Sequence, residues 1–175
     1  SKEEIQKMLK TVTNVKHKSV IALIYSCGLR RSEAIAIKIK DVDSKRMNVK
    51  IRGGKGKKDR YVPLAKKTLN ILREYYKAEK PRVYLFEGQN GGQYSPTSIY
   101  NVIKSTAKKA GIKKNIYPHI LRHSFATHHL EQGMDLRLIQ ELLGHNSSKT
   151  TEIYTHVTQK DFSKFANPLD DEIFD

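Results

Sequence analysis

The chain has 175 residues, 38% of them hydrophobic, and 33 Lys and Arg against 18 acids give a formal charge of +15. That length suits one compact domain with its own core, and the apolar share excludes a purely disordered segment. A balance this basic points to a polyanion, nucleic acid foremost, with a solvated Lys-rich surface as the plain alternative.

Ser1-Lys-Glu-Glu4 fits a capping box, and Ile5, Met8, Leu9 and Val12 follow at helical spacing. An apolar helix is predicted over about 17–27, ended by Gly28. It contains Cys27, the only cysteine, read as a buried structural thiol. A lone cysteine allows no internal disulfide and no cysteine-based metal site, and it predicts a reducing, cytoplasmic setting. A short helix near Arg31 carries Glu33, Ile35 and Ile37. Met47, Val49 and Ile51 alternate with Asn48, Lys50 and Arg52, the pattern of a half-buried strand. Gly53-Gly-Lys-Gly56 is a turn and Arg60-Tyr-Val-Pro-Leu64 the returning strand, so a β-hairpin with a basic tip is expected. Pro63 marks that strand as an edge or its end.

Helices then dominate. One is predicted over 66–80, followed by a short strand at Tyr84-Leu-Phe86. Ser95-Pro96 opens a helix that stops at Gly111. Pro118 opens the next, running to about Gln132. Asp135 caps a short helix ended by Gly144. Ser147 or Ser148 caps a helix carrying Tyr154, and a last helix covers about 159–166. The expected fold is mostly α with one small antiparallel β-sheet, an α+β class. No apolar run approaches the roughly 20 residues of a membrane span, so no membrane partner and no signal peptide are expected.

The last nine residues hold four acids and no bases, leaving 33 bases against 14 acids, or +19, on the rest. Leu169, Ile173 and Phe174 make this tail too apolar for a solvated end. It is expected to dock on its own chain or a partner, covering basic surface when the polyanion is absent; a frayed terminus is the alternative.

Six of the seven histidines follow residue 118. Spacings of three and four place His119, Arg122 and His123 on neighbouring positions of one helix face. A guanidinium beside an imidazole suits a phosphate: the first clamps two oxygens, and the second moves a proton near neutral pH. A solvated basic helix gives the same pattern. The histidines lack an HExxH arrangement and well-placed further ligands, so no metal is expected. Residues 53–58 lack the spacing of a P-loop.

Five segments together resemble the tyrosine recombinase (phage integrase) family, in its order and with compatible spacings. Gly28-Leu-Arg-Arg-Ser-Glu33 is similar to its first arginine box. Gly54-Lys-Gly-Lys-Lys-Asp-Arg-Tyr-Val-Pro63 is similar to its hairpin lysine motif. Pro118-His-Ile-Leu-Arg-His123 resembles its HxxR box, Leu142-Leu-Gly-His145 its second histidine, and Thr151-Glu-Ile-Tyr-Thr-His156 its nucleophile box. Xer-type recombinases and mobile-element integrases are the nearest in pattern. The resemblance implies a catalytic domain over 1–166, an acidic tail over 167–175, and a fragment whose N-terminal DNA-clamping domain lies outside this chain.

The resemblance also implies the chemistry. Tyr154 attacks a DNA phosphate to give a 3′-phosphotyrosyl link and a free 5′-hydroxyl, needing no cofactor, ATP or metal. Arg30 and Arg122 clamp the non-bridging oxygens, His145 donates a further hydrogen bond, Lys55 protonates the leaving oxygen, and His119 serves proton transfer at the tyrosine. Glu33 orients these groups. Arg31 is expected on the surface, Lys57 and Lys58 on DNA phosphates, His123, His128, His129 and His156 in structural roles, and Tyr117 in packing. The partners implied are double-stranded DNA and further copies of the chain, a tetramer on paired sites or a monomer alone, in the cytoplasm with the nucleoid. The alternatives are a catalytically silent DNA-binding module of the same fold and a relaxing type IB-like topoisomerase.

Overall fold

Local caps set the helix boundaries. The structure, a computed structural model, describes residues 1–53, 58–144 and 166–174. Ser1 and Glu4 form the expected capping box of α1 (Lys2–Thr11). Asn14 caps α2 (Val15–Cys27), which ends at Gly28; α3 (Arg31–Ala36) follows. The later helices are α4 (Lys66–Glu79), α5 (Pro96–Lys109), α6 (Pro118–Glu131) and α7 (Leu136–Leu143). Ser95 caps α5 ahead of Pro96, and Asp135 caps α7 through the amides of Arg137 and Leu138.

In α2 every residue from Ser19 to Cys27 is buried. A helix that is apolar all round belongs in the centre, and α1, α4, α5 and α6 all pack on it. Each fully buried Ile or Leu there contributes about 1.5–3 kcal/mol.

Three strands form an antiparallel sheet in the order β1-β2-β3: β1 (Val42–Asp43), β2 (Asn48–Ile51) and β3 (Arg60–Pro63). Val49 pairs with Val62 and Ile51 with Arg60, so the hairpin has the expected register. Pro63 does end β3, and β3 is an edge. The short β1 was not expected; at two residues it has no period to read. Tyr84-Leu-Phe86 is not a strand. Tyr84 makes one isolated bridge to Lys38, while the Glu87 carboxylate accepts from the amides of Arg82, Val83 and Tyr84 and folds the segment into a turn.

Residues 166–174 dock on the same chain through two short 3-10 turns, Pro168–Asp170 and Glu172–Phe174. Asn167 is buried and donates to the Ser26 carbonyl at 2.9 Å. Leu169 is buried, and Asp170 caps α4 by accepting from the amides of Lys66 and Lys67. Asp171 meets Lys2 at 2.5 Å, the Ile173 carbonyl accepts from Gln6, and the Phe174 ring lies 6.1 Å from Tyr25. The predicted helices beyond Ser147 lie outside the described residues.

Candidate active site

Gly28 ends α2 in the left-handed region, at φ 60°. A Cβ there would lie 2.6 Å from Phe125 Cδ1 and 2.9 Å from Leu143 Cδ2. Glycine is thus required by conformation and by the close approach of α6 and α7. The turn sends Leu29 into the core and leaves Arg30 at the N-cap of α3. Glu33, in the first turn of α3, reaches back to accept from the Arg30 amide at 2.8 Å and from Arg30 Nη1 at 3.1 Å.

Arg122 comes from α6 and is 4% exposed. Its Nη1 donates to the Gly28 carbonyl and its Nη2 to the Leu143 carbonyl, both at 2.7 Å. These oxygens close α2 and α7, where a helix leaves carbonyls without onward partners and where its dipole favours a cation. Burial, with Arg30 nearby, pushes the Arg122 pKa down to about 10, which leaves the guanidinium charged at neutral pH.

His119 stands one position into α6, exposed. It lines a cavity of about 400 Å³ together with Arg30, Arg31 and Arg122, with Tyr100 and Tyr117 at its sides. Three sequence-predicted residues, Arg30, His119 and Arg122, are therefore brought to one cavity. Lys55, His145 and Tyr154 lie outside the described residues, as do Lys57 and His156.

Glu33 sits among three guanidiniums. Its carboxylate lies 3.1 Å from Arg30, 2.9 Å from Arg60 and 3.7 Å from Arg122. Burial raises its pKa, but the hydrogen bonds and charge of Arg60 and the Arg30 contacts outweigh that, so the group lies below the ordinary carboxylate range. One carboxylate against three cations leaves net positive charge in a half-buried place, a setting that favours an anion.

Sequence reasoning missed the site role of Arg60, which it read as the first residue of the returning strand within the hairpin motif. Its Nη1 and Nη2 grip both oxygens of Glu33, and its Nε donates to the Leu142 carbonyl at 2.8 Å. These partners lie 27 and 82 residues away, so no local pattern could announce them.

The remaining assignments divide. Arg31 is exposed as expected, yet it also lines the cavity, and so does Tyr117. His123 is exposed on α6. His128 and His129 are buried: Nδ1 of His128 meets the Tyr25 hydroxyl and Nδ1 of His129 the Phe125 carbonyl, both at 2.8 Å. Among the described residues no helix is long and apolar enough to cross a membrane.

Fold and site together define a member of the phage integrase family: residues 1–161 match it, and the chain belongs to it. Within that family the chain is 42% identical over 164 residues to the tyrosine recombinase XerA of Pyrococcus horikoshii, covering 91% of this chain and 57% of that protein. The crystal structure of XerA recombinase superposes with a TM-score of 0.80 at 35% identity, covering 89% of this chain and 57% of the other. The XerH site-specific recombinase bound to its difH substrate before cleavage gives 0.73 at 29% identity, covering 83% and 45%. The chain thus spans about half the length of these relatives.

Proposed function

We propose that this chain is the catalytic domain of a site-specific recombinase or integrase that breaks and rejoins double-stranded DNA through a 3′-phosphotyrosyl intermediate. The observation that carries the reading is the convergence of Arg30, Arg122 and His119 on one cavity, both arginines held from behind by Glu33 or helix-end carbonyls. Its relatives carry recombinase names, and XerH is known bound to DNA.

In this mechanism the Tyr154 phenol oxygen attacks phosphorus, and the P–O5′ bond breaks as the new P–O bond forms. The 5′-oxygen leaves with a proton from Lys55. A free phenol has a pKa of about 10, so its proton must be taken as it attacks; His119 is assigned that base role and returns the proton in rejoining. The phosphorane gathers negative charge on its non-bridging oxygens. Arg30 and Arg122 stabilise that charge with donors already fixed, the arrangement that gives electrostatic catalysis its size. His145 adds a hydrogen bond. The phosphotyrosyl ester conserves the bond energy, so a second strand's 5′-hydroxyl can displace the tyrosine without ATP. No cofactor is assigned. Assembly as a tetramer on paired sites, and work beside the nucleoid in the cytoplasm, belong to the same reading.

The test uses a pool of duplexes with a nick beside randomised sequence, which lets the cleaved fragment diffuse away. A covalent protein–DNA adduct is expected, mapping by peptide to Tyr154 and absent from Tyr154→Phe. An adduct that persists in that variant refutes the assignment. Binding with no adduct would instead indicate a silent DNA-binding module. Plasmid relaxation without exchange between two sites would indicate a topoisomerase.

A further inference from the structure

Arg60 is bound to the site's machinery but does not line the cavity. It sits 18% exposed at the start of β3 and spends its fork on a neighbouring carboxylate rather than on the space where a phosphate would sit. Its Nε takes the Leu142 carbonyl, the oxygen next to the one shared by Arg122 and Arg30. The end of α7 is thus a common rack for three guanidiniums. Gly144 closes against that rack: it lies at φ 66°, and a Cβ on it would stand 3.1 Å from the Arg60 guanidinium carbon.

We infer that Arg60 is a positioning residue, which keeps Arg30 and Arg122 available to a phosphate by taking up the charge of Glu33. The inference rests on the recombinase reading. Glu33 is ionised, 13% exposed, and within 4 Å of Arg30 and Arg122 as well as Arg60. With Arg60 in place, both carboxylate oxygens are already gripped in bidentate fashion, the strongest geometry for this pair. Without it, the same half-buried carboxylate keeps the Arg30 amide and turns its remaining acceptor capacity to the side chains of Arg30 and Arg122. An internal anion then competes with the phosphate for the groups that must hold it. The Leu142 carbonyl also loses its donor, which loosens the point where the chain leaves α7. The hairpin strand is therefore tied to the catalytic arginines by one side chain.

The competition makes a prediction that a purely structural role does not. Arg60→Ala should slow covalent capture on the nicked duplex pool about 100-fold, the size of losing one preorganised donor. Adding Glu33→Gln to that variant removes the competing charge and should restore about tenfold, whereas Glu33→Gln alone should slow the otherwise unchanged protein. Binding to an intact 30-base-pair duplex should keep its salt slope in Arg60→Ala, because the side chain makes no phosphate contact; a phosphate-binding arginine would lower the slope by about 1. Arg60→Gln replaces Arg60→Ala in the same comparison if thermal melting shows the alanine variant unfolded. A double variant no faster than its single parent, or a lowered salt slope, overturns the inference while the recombinase reading stands. A protein that forms no adduct with Arg60 intact overturns the reading, and the inference with it.

Discussion

Replacing Gly28 by alanine should cost far more than the same change at Gly111, although both sit in the left-handed region, at φ 60° and 70°. The conformational cost of a side chain there is about 1–2 kcal/mol at either position. Gly→Ala also returns about 0.4–1 kcal/mol by narrowing the unfolded chain. At Gly111 nothing lies within 4 Å of the added carbon, so the balance is near 1 kcal/mol or less. At Gly28 the carbon would stand 2.6 Å from the Phe125 ring and 2.9 Å from Leu143, both buried and backed by core. Overpacking of that kind adds about 1–3 kcal/mol. The net expectation is about 2–4 kcal/mol at Gly28, or a melting temperature lower by roughly 4–16 °C for a chain of this size. The Gly28 carbonyl also accepts from Arg122, so DNA capture should fall by at least about tenfold in protein that is still folded. Urea denaturation of both variants, with capture measured below the transition, tests the reasoning. Equal destabilisation at the two glycines would refute the claim that Phe125 and Leu143 enforce the turn.

Arg122→Lys keeps the charge but loses the planar fork that bridges two helix ends, so capture should fall about 100-fold with duplex affinity nearly unchanged; a loss confined to affinity contradicts the clamp. Burial pushes the His129 imidazole down to about 4 from an ordinary value near 6.5. Between those values the unfolded chain binds a proton that the folded chain refuses. Stability is therefore full above about pH 6.5 and declines as pH falls towards about 4, by up to roughly 3 kcal/mol. His129→Gln should flatten that part of the melting profile. Asn167→Ala removes a buried bond to the Ser26 carbonyl and should cost about 1–3 kcal/mol in urea denaturation.

Much of the architecture was legible because caps and breakers act locally. Ser1, Ser95, Asp135 and Gly28 each do what their chemistry requires within a few residues. The hairpin followed from alternation at Val49 and Ile51. Tyr84 and Phe86 misled because aromatic residues suit both a strand and a core, and only the Glu87 carboxylate three residues on decides for a turn. At the site, Arg30 and Arg122 stood out in short motifs, and Glu33, expected beside them, lies within 4 Å of both. Arg60 stayed hidden because its role is defined wholly by partners distant in sequence.

The docked tail has a bearing on how the chain acquires its fold. Lys2 and Asp171 meet across 169 residues, and Gln6 and Ile173 across 167. A ten-residue helix such as α1 is too short to persist in water unaided. Part of what holds it is supplied only once the last turns have arrived, the slowest kind of closure for a chain to make. Amide exchange should therefore find α1 and residues 167–174 opening together, as one cooperative unit at the seam where the two ends of this stretch meet.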